Sequence, residues 1–221
     1  MKRVVIYTCY KFKEVYMKFL LASNNKDKIR EFREVFTPYG VEILSLKDLN
    51  INVDPEENGK NFKENAYIKA SEVGKLSSLV VIADDSGIEI EALNGFPGIY
   101  SARFMEECTY EEKFVALWDM LKDKDNKTCN FNCTLCVVNL EKEPLYFEGK
   151  VFGKITTEIK GSAGFGYDPI FFYSEYNKTF ADSKSVRHIG IYLVKAHSQA
   201  PLMLRGWSAF FSVTKAVTIS L

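Results

Sequence analysis

The chain has 221 residues with 29 basic and 29 acidic side chains, a formal charge of zero, so it lacks the basic surplus that draws a protein to nucleic acid over long range. Hydrophobic residues make up 47% and charged residues 26%, enough for one substantial core in one domain or one with two lobes, and no apolar run nears the roughly 18 residues of a membrane span. Five cysteines, an odd number in a chain too long to need stapling, point to reduced thiols and a cytoplasmic setting.

Met1-Lys2-Arg3 followed by Val4-Val5-Ile6-Tyr7 has the outline of a secretory signal. Lys11 and Lys13 cut the apolar stretch short and no small-residue cleavage site follows, which argues against export. Residues 1–16 are therefore read as an N-terminal extension, with the domain starting at Met17. Phe19 to Ala22 has the pattern of a buried strand. Ile29, Phe32, Val35 and Phe36 recur at helical spacing, and Pro38 and Gly40 close that segment. Val41 to Leu46 is a short strand. Phe62, Ala66, Ala70, Val73 and Leu76 mark a second amphipathic helix, weakened near its end by Gly74. Leu79 to Ala83 is a β-branched run that should stop at Asp84-Asp85-Ser86-Gly87, and Ile88 to Ala92 then alternates with period two. Asn94-Gly95-Phe96-Pro97-Gly98 is a turn. Phe114, Leu117, Trp118 and Leu121 give a third helix. Phe131 to Leu140 and Leu145 to Ile155 read as two strands of a hairpin joined by Glu141-Lys142-Glu143-Pro144. A glycine-rich loop, Gly161 to Gly166, precedes Pro169-Ile170-Phe171-Phe172. The pattern is mixed α/β with an antiparallel second half.

Four segments are too polar or too constrained for their positions. Asp84-Asp85-Ser86-Gly87 follows a buried strand, where an α/β sheet tends to place its ligand. Adjacent carboxylates repel unless a cation or proton neutralises them, which makes a Mg²⁺ site attractive, although Asp, Ser and Gly are also ordinary turn formers. The acidic run Asp54, Glu56, Glu57 offers a third oxygen ligand, or simply a solvated approach to a helix N-terminus. Ser23-Asn24-Asn25-Lys26-Asp27-Lys28 combines a helix start, a hydroxyl and lysines into a phosphate grip, with an N-cap as the plainer reading. Gly161-Ser162-Ala163-Gly164-Phe165-Gly166 matches neither phosphate-loop nor dinucleotide fingerprints, and Phe165 and Tyr167 beside it offer rings for stacking on a base. Cys133 and Cys136 have C-x-x-C spacing without a second pair. In a strand they fall on opposite faces, so they and Cys129 are read as core thiols.

Taken in order, Ser23 to Lys28, Glu57-Asn58-Gly59, Phe62-Lys63-Glu64-Asn65-Ala66, Ile82 to Gly87, Gly95-Phe96-Pro97-Gly98-Ile99-Tyr100-Ser101-Ala102-Arg103-Phe104 and Gly164 to Phe171 resemble the inosine triphosphate pyrophosphatase family, the noncanonical purine NTP pyrophosphatases. The resemblance covers residues 17–182. It implies an α/β fold, an elongated mixed sheet with two lobes around a central nucleotide-binding cleft, and a homodimer. It also implies Mg²⁺-dependent hydrolysis of ITP, dITP and XTP to monophosphate and pyrophosphate. By the same resemblance Ser23, Asn25 and Lys28, with Asn24, Lys26 and Asp27 of their segment, hold the triphosphate. Glu57 and Asp84 bind metal, and Asp85 is the general base and a further metal contact. Lys69 and Ser86 support the substrate, and Phe165, Gly166, Tyr167 and Asp168 line the nucleoside pocket. The likeness stops at residues 183–221, where no Ser-His-Arg motif occurs. Lys184, Arg187 and His188 are the candidates to replace it in reading the base. A Maf-like nucleotide pyrophosphatase and a nucleotide-binding protein that has lost catalysis are the alternatives, and the intact Asp84-Asp85 pair argues against the second.

Overall fold

The computed structural model describes residues 17–182. Residues 1–16 and the candidates Lys184, Arg187 and His188 lie outside the described residues. The ordered elements are β1 (Met17–Leu21), α1 (Lys26–Phe36), β2 (Val41–Ser45), α2 (Phe62–Gly74), β3 (Val80–Ile90), α3 (Tyr110–Leu121), β4 (Thr128–Val138), β5 (Leu145–Ile155), β6 (Phe171–Tyr173) and β7 (Lys178–Thr179). They form one seven-stranded sheet in the order β2-β1-β3-β4-β5-β6-β7. β1 pairs parallel with β2 and β3, and every later pairing is antiparallel.

The parallel half is covered on both faces, as its β-branched strands require. Alternate residues of the strands separate two cores. Phe19, Leu21, Ile82, Leu135 and Val137 pack with Phe32, Val35 and Phe36 of α1, whereas Leu20, Val81, Ala83 and Cys136 pack with Ala66, Ala70 and Val73 of α2. Helices α1 and α2 therefore lie on opposite faces of the sheet. The antiparallel half has its own core, in which Phe114, Leu117 and Leu121 of α3 meet Ile88, Ile90, Val151, Phe171 and Phe180. Each such side chain, fully buried, contributes about 1.5–3 kcal/mol of transfer free energy. The two halves are the two lobes expected from the sequence, and β3 and β4 run through both.

The helices begin where their caps allow. Asn25 accepts from the Asp27 and Lys28 amides at the start of α1, Asn61 accepts from Glu64 N in α2, and Thr109 and Glu112 close a reciprocal capping box on α3. Leu76 is not part of α2, which ends at Gly74, and it stands 56% exposed. The first hairpin strand starts earlier than its apolar pattern suggests, at Thr128, and ends at Val138.

The largest departure concerns Asp84-Asp85-Ser86-Gly87. These residues do not end a strand or form a turn but lie inside β3, an eleven-residue strand. The alternating stretch after them is the same strand, and only Glu91–Leu93 turns. The ladder to β4 is unbroken across the polar run, with Asp84 opposite Leu135, Asp85 opposite Thr134 and Gly87 opposite Asn132. Among the described residues no helix is long and apolar enough to cross a membrane.

Candidate active site

Because β3 is extended through the acidic pair, its two carboxylates point to opposite faces of the sheet. Asp84 faces α1, where Lys28 Nζ lies 2.6 Å from its Oδ2 and Ser86 Oγ donates to the same oxygen at 3.3 Å. Asp85 faces α2, where Asn65 Nδ2 donates to its Oδ2 at 3.0 Å and Lys69 Nζ stands 3.7 Å from its Oδ1. Asn65 is fully buried, and its own carbonyl accepts from Gly59 N at 2.8 Å. One amide thus ties the loop that follows Glu57 to Asp85.

Glu57 completes this side. Its Oε1 lies 2.7 Å from Lys69 Nζ and its Oε2 lies 2.6 Å from Arg103 Nη1. Arg103 is in turn anchored by Nη2 to the Ile99 carbonyl at 3.1 Å. Of the acidic run before α2, Glu57 alone joins the site, while Asp54 and Glu56 are exposed.

Burial and charge act in opposite directions on these acids. For Asp84 burial would raise the carboxyl, but the Lys28 ammonium, with Lys69 behind it, outweighs that and holds it below the usual carboxylate range. Lys28 is held above its ordinary value because Asp84 and Asp85 outweigh its own burial. For Glu57 desolvation is likewise overcome, by Lys69 and Arg103. Asp85 goes the other way. Burial, joined by the charge of Glu57, pushes its carboxyl up against the pull of Lys69, Asn65 and Lys28. Two adjacent carboxyls are thereby shifted in opposite directions, Asp84 down and Asp85 up.

The sign for stability follows from Asp84. A carboxyl held below its unfolded value, about 3.9 for Asp, stabilises the fold above that pH and loses the effect as pH falls through its folded value. Asp84→Asn is expected to remove this part of the acid dependence. Melting curves from pH 2 to pH 7 measure it, and unchanged acid dependence in the variant would contradict the Lys28 pairing.

The remaining sequence candidates separate into two groups. Asn25 is the cap of α1, and Ser23 Oγ accepts from Asn25 N at 3.2 Å, shaping the same loop. Asn24 is held weakly, by Nδ2 to the Val53 carbonyl at 3.4 Å. Lys26 and Asp27 stand on the first turn away from the carboxylates, Asp27 pairing with Arg30 at 2.7 Å. Asn25 and Lys28 line a cavity with Asp84, Ser86, Phe165 and Gly166, which Tyr167 and Asp168 also border. Lys69, Glu57 and Asp85 do not line it, so the structure places this cavity on the α1 face and the Glu57–Asp85 pair on the α2 face.

Tyr167 is more buried than a stacking platform would be. It is 3% exposed, lies edge-on to Tyr110 with centroids 5.5 Å apart and donates its hydroxyl to the Ser101 carbonyl at 2.8 Å. Asp168 accepts from Phe165 N at 2.9 Å and so shapes the glycine loop. Tyr167→Phe leaves that buried carbonyl short of a donor and is expected to cost about 1–2 kcal/mol. Equilibrium denaturation reads this, and an unchanged midpoint would show that the hydroxyl holds nothing.

Cys129 and Cys136 are buried, Cys133 is half-buried, and all three are free thiols. Cys133 and Cys136 do fall on opposite faces, in the α1-side and α2-side cores respectively. Burial raises all three, Cys136 to about 11, which suits packing rather than metal ligation.

Three contributors have no role in the reading of the sequence. Asn65 sits on the buried side of a helix, and Arg103 meets Glu57 from 46 positions away. Tyr110, on the first turn of α3, also lines the cavity. The only signal was the presence of Asn65 and Arg103 in the matched motifs; for Tyr110 there was none.

Comparison with known proteins adds an independent line. A model described as the Ham1 family matches residues 19–188. The chain is 43% identical over 178 residues to the dITP/XTP pyrophosphatase of Clostridium perfringens, spanning 76% of this chain and 87% of that one. It is 39% identical over 192 residues to the dITP/XTP pyrophosphatase of Desulfotalea psychrophila, spanning 84% and 86%. Among solved structures, the Ham1 protein of Staphylococcus aureus superposes with a TM-score of 0.69 at 37% identity over 77% of this chain and 89% of that one. A HAM1 protein from Coxiella burnetii gives a TM-score of 0.72 at 28% identity over 91% and 98%.

Proposed function

The chain belongs to the Ham1 family, and from that premise we propose that this nucleoside-triphosphate pyrophosphatase clears noncanonical purine nucleotides, dITP, ITP and XTP, with Mg²⁺ as its cofactor. The observation that carries the chemistry is the unequal pair in β3, with Asp84 fixed as a carboxylate by Lys28 and Asp85 raised beside Lys69 and Glu57.

The donor set suits a hard divalent ion, since every candidate ligand is a carboxylate oxygen. Among the described residues no three His, Cys, Asp or Glu side chains converge enough to hold a metal by themselves. Mg²⁺ needs no such cage, because it is commonly held by one or two carboxylates and substrate phosphates. One feature of the site favours a cation: Asp84 Oδ1 is buried with no partner among the described residues. Glu57 and Asp85 would hold the ion, with Asp84 Oδ1 the remaining oxygen in want of one. When bound, it would neutralise charge on the phosphoryl oxygens.

The side chains supply the rest. Asp85 takes a proton from water, whose oxygen bonds to the α-phosphorus. The bond from that phosphorus to the oxygen bridging to the β-phosphorus breaks, and its electron pair leaves with pyrophosphate. Lys28 and Lys69 face the charge that collects on the leaving group. Asn25 and Ser86 would meet the phosphates and Phe165 and Gly166 the nucleoside, with Tyr167 and Asp168 fixing the loop that carries the last two.

A cytoplasmic setting and a homodimer belong to the same reading, the first supported by the four unpaired thiols among the described residues. The test is a panel of dITP, XTP, ITP, GTP, ATP and dTTP with and without Mg²⁺, scored for pyrophosphate against orthophosphate. Pyrophosphate from dITP and XTP in the presence of Mg²⁺ alone is the expected result. Orthophosphate release, or equal rates on dTTP, would overturn it and return the Maf-like alternative.

A further inference from the structure

Three carboxylates of the site already have cations as partners. Glu57, Asp84 and Asp85 face Lys28, Lys69 and Arg103, and contacts at 2.6, 2.7, 3.7 and 2.6 Å join them. Both oxygens of Glu57 are taken, one by Lys69 and one by Arg103. A bare divalent ion arriving here finds carboxylates already neutralised and two cations in its way. A divalent ion arriving on a triphosphate brings both signs of charge, so each group of the site can exchange its present partner for a new one.

Arg103 is built for such an exchange. Its side chain is 33% exposed, so it has room to move, and its bond to the Ile99 carbonyl at 3.1 Å keeps the movement short. It touches the carboxylate proposed to hold the ion, so a phosphate on that ion lies one side chain away. A guanidinium offers five N–H donors in a planar fork suited to phosphate, and two bonds to Glu57 and Ile99 leave donors over.

We propose that Arg103 is a third phosphate-binding cation that guards Glu57 until a metal–nucleotide complex arrives, so that the site takes the complex and discriminates against the free ion. On binding, Arg103 passes from Glu57 to a phosphate oxygen of the leaving pyrophosphate. This rests on the pyrophosphatase reading above, and nothing in that reading uses Arg103.

Two measurements on Arg103→Ala test it. Without nucleotide, calorimetric titration with MnCl₂ should show about tenfold tighter binding than in the native protein, because a charge repelling the ion is gone. With nucleotide, KM for the metal–dITP complex should rise by about tenfold, kcat changing less, because a charge-assisted contact to phosphate is lost. Arg103→Lys keeps the charge and should leave MnCl₂ affinity near the native value with KM in between. If Arg103→Ala does not melt cooperatively, Arg103→Gln, which keeps a donor for the Ile99 carbonyl, takes its place. MnCl₂ affinity that is unchanged or weaker in the neutral variants would show that Arg103 only props Glu57, and an unchanged KM would show that it never meets phosphate. Either overturns the proposal. Absence of pyrophosphate release by the native protein would instead defeat the pyrophosphatase reading, and the MnCl₂ titration would still decide whether Arg103 guards Glu57.

Discussion

Asp85→Asn is expected to lower turnover on dITP by about 10²-fold or more, the usual cost of removing a general base, while raising the melting temperature at pH 8. The two effects have one cause. Burial and Glu57 push the Asp85 carboxyl up, so in the folded protein its ionised form is disfavoured relative to the unfolded chain. A carboxyl raised on folding makes the protein less stable as pH rises from the unfolded value through the folded one, and the full cost persists above the latter. Asn carries no such charge, and its side-chain oxygen can still accept from Asn65, which now donates to Asp85 at 3.0 Å. Lys69 keeps Glu57 at 2.7 Å. The stability gain should therefore shrink as pH falls toward and below the unfolded value, about 3.9 for Asp, where the difference between the two states fades. Turnover and thermal melts at pH 4 and pH 8 check both halves. Near-native turnover would remove Asp85 from the mechanism, and a lower melting temperature at pH 8 would show that its charge is stabilising after all.

What the sequence makes legible here is governed by which forces are local. The three helices follow from apolar residues at helical spacing, because Phe32, Val35 and Phe36 on α1 and Phe114, Leu117 and Leu121 on α3 face the cores they predict. The hairpin of β4 and β5 follows from a polar break between two β-rich runs. The course of β3 does not follow. Two Asp, a Ser and a Gly have turn propensities, and nothing nearby in sequence reverses them. They are held extended by an unbroken ladder to β4 and by Lys28 and Lys69, which neutralise the carboxylates from helices on opposite faces. Tertiary context overrides propensity at this point, as it often does where a site is built.

The site divides in the same way. Lys28, Asp84 and Asp85 were visible as charged residues in unlikely company. Asn65 and Lys69 were not separable from a solvated helix face by periodicity, since α2 buries them beside Ala66 and Ala70. The pairing of Glu57 with Asp85, rather than with Asp84, is a consequence of strand alternation and becomes readable only once the polar run is known to be a strand.

Gly87 shows how tightly that strand is held. A Cβ built there would lie 2.3 Å from the Gly98 carbonyl and 2.5 Å from Ser101 Oγ. Both belong to the turn that crosses β3, and Ser101 Oγ bonds the strand directly, accepting from Ile88 N at 2.9 Å and donating to the Gly98 carbonyl at 2.6 Å. The obstacle is largely backbone, so no side-chain rotation relieves it. Gly87→Ala must lift the turn from the strand, at a cost of about 3 kcal/mol, the upper range for overpacking. At this chain length that is a fall of roughly 6–12 °C in Tm. Gly40 supplies the contrast. Its φ is +70° with open space around it, so Gly40→Ala should cost only the left-handed backbone strain, about 1–2 kcal/mol. The lifted turn also carries Ile99 and Arg103, so Gly87→Ala should weaken the hold on Glu57 and lower turnover as well, which Gly40→Ala should not. Thermal melts and dITP kinetics on the two variants separate these effects. A Gly87→Ala protein with native Tm would mean that the turn is free to move, and the account of how β3 positions the site would fail with it.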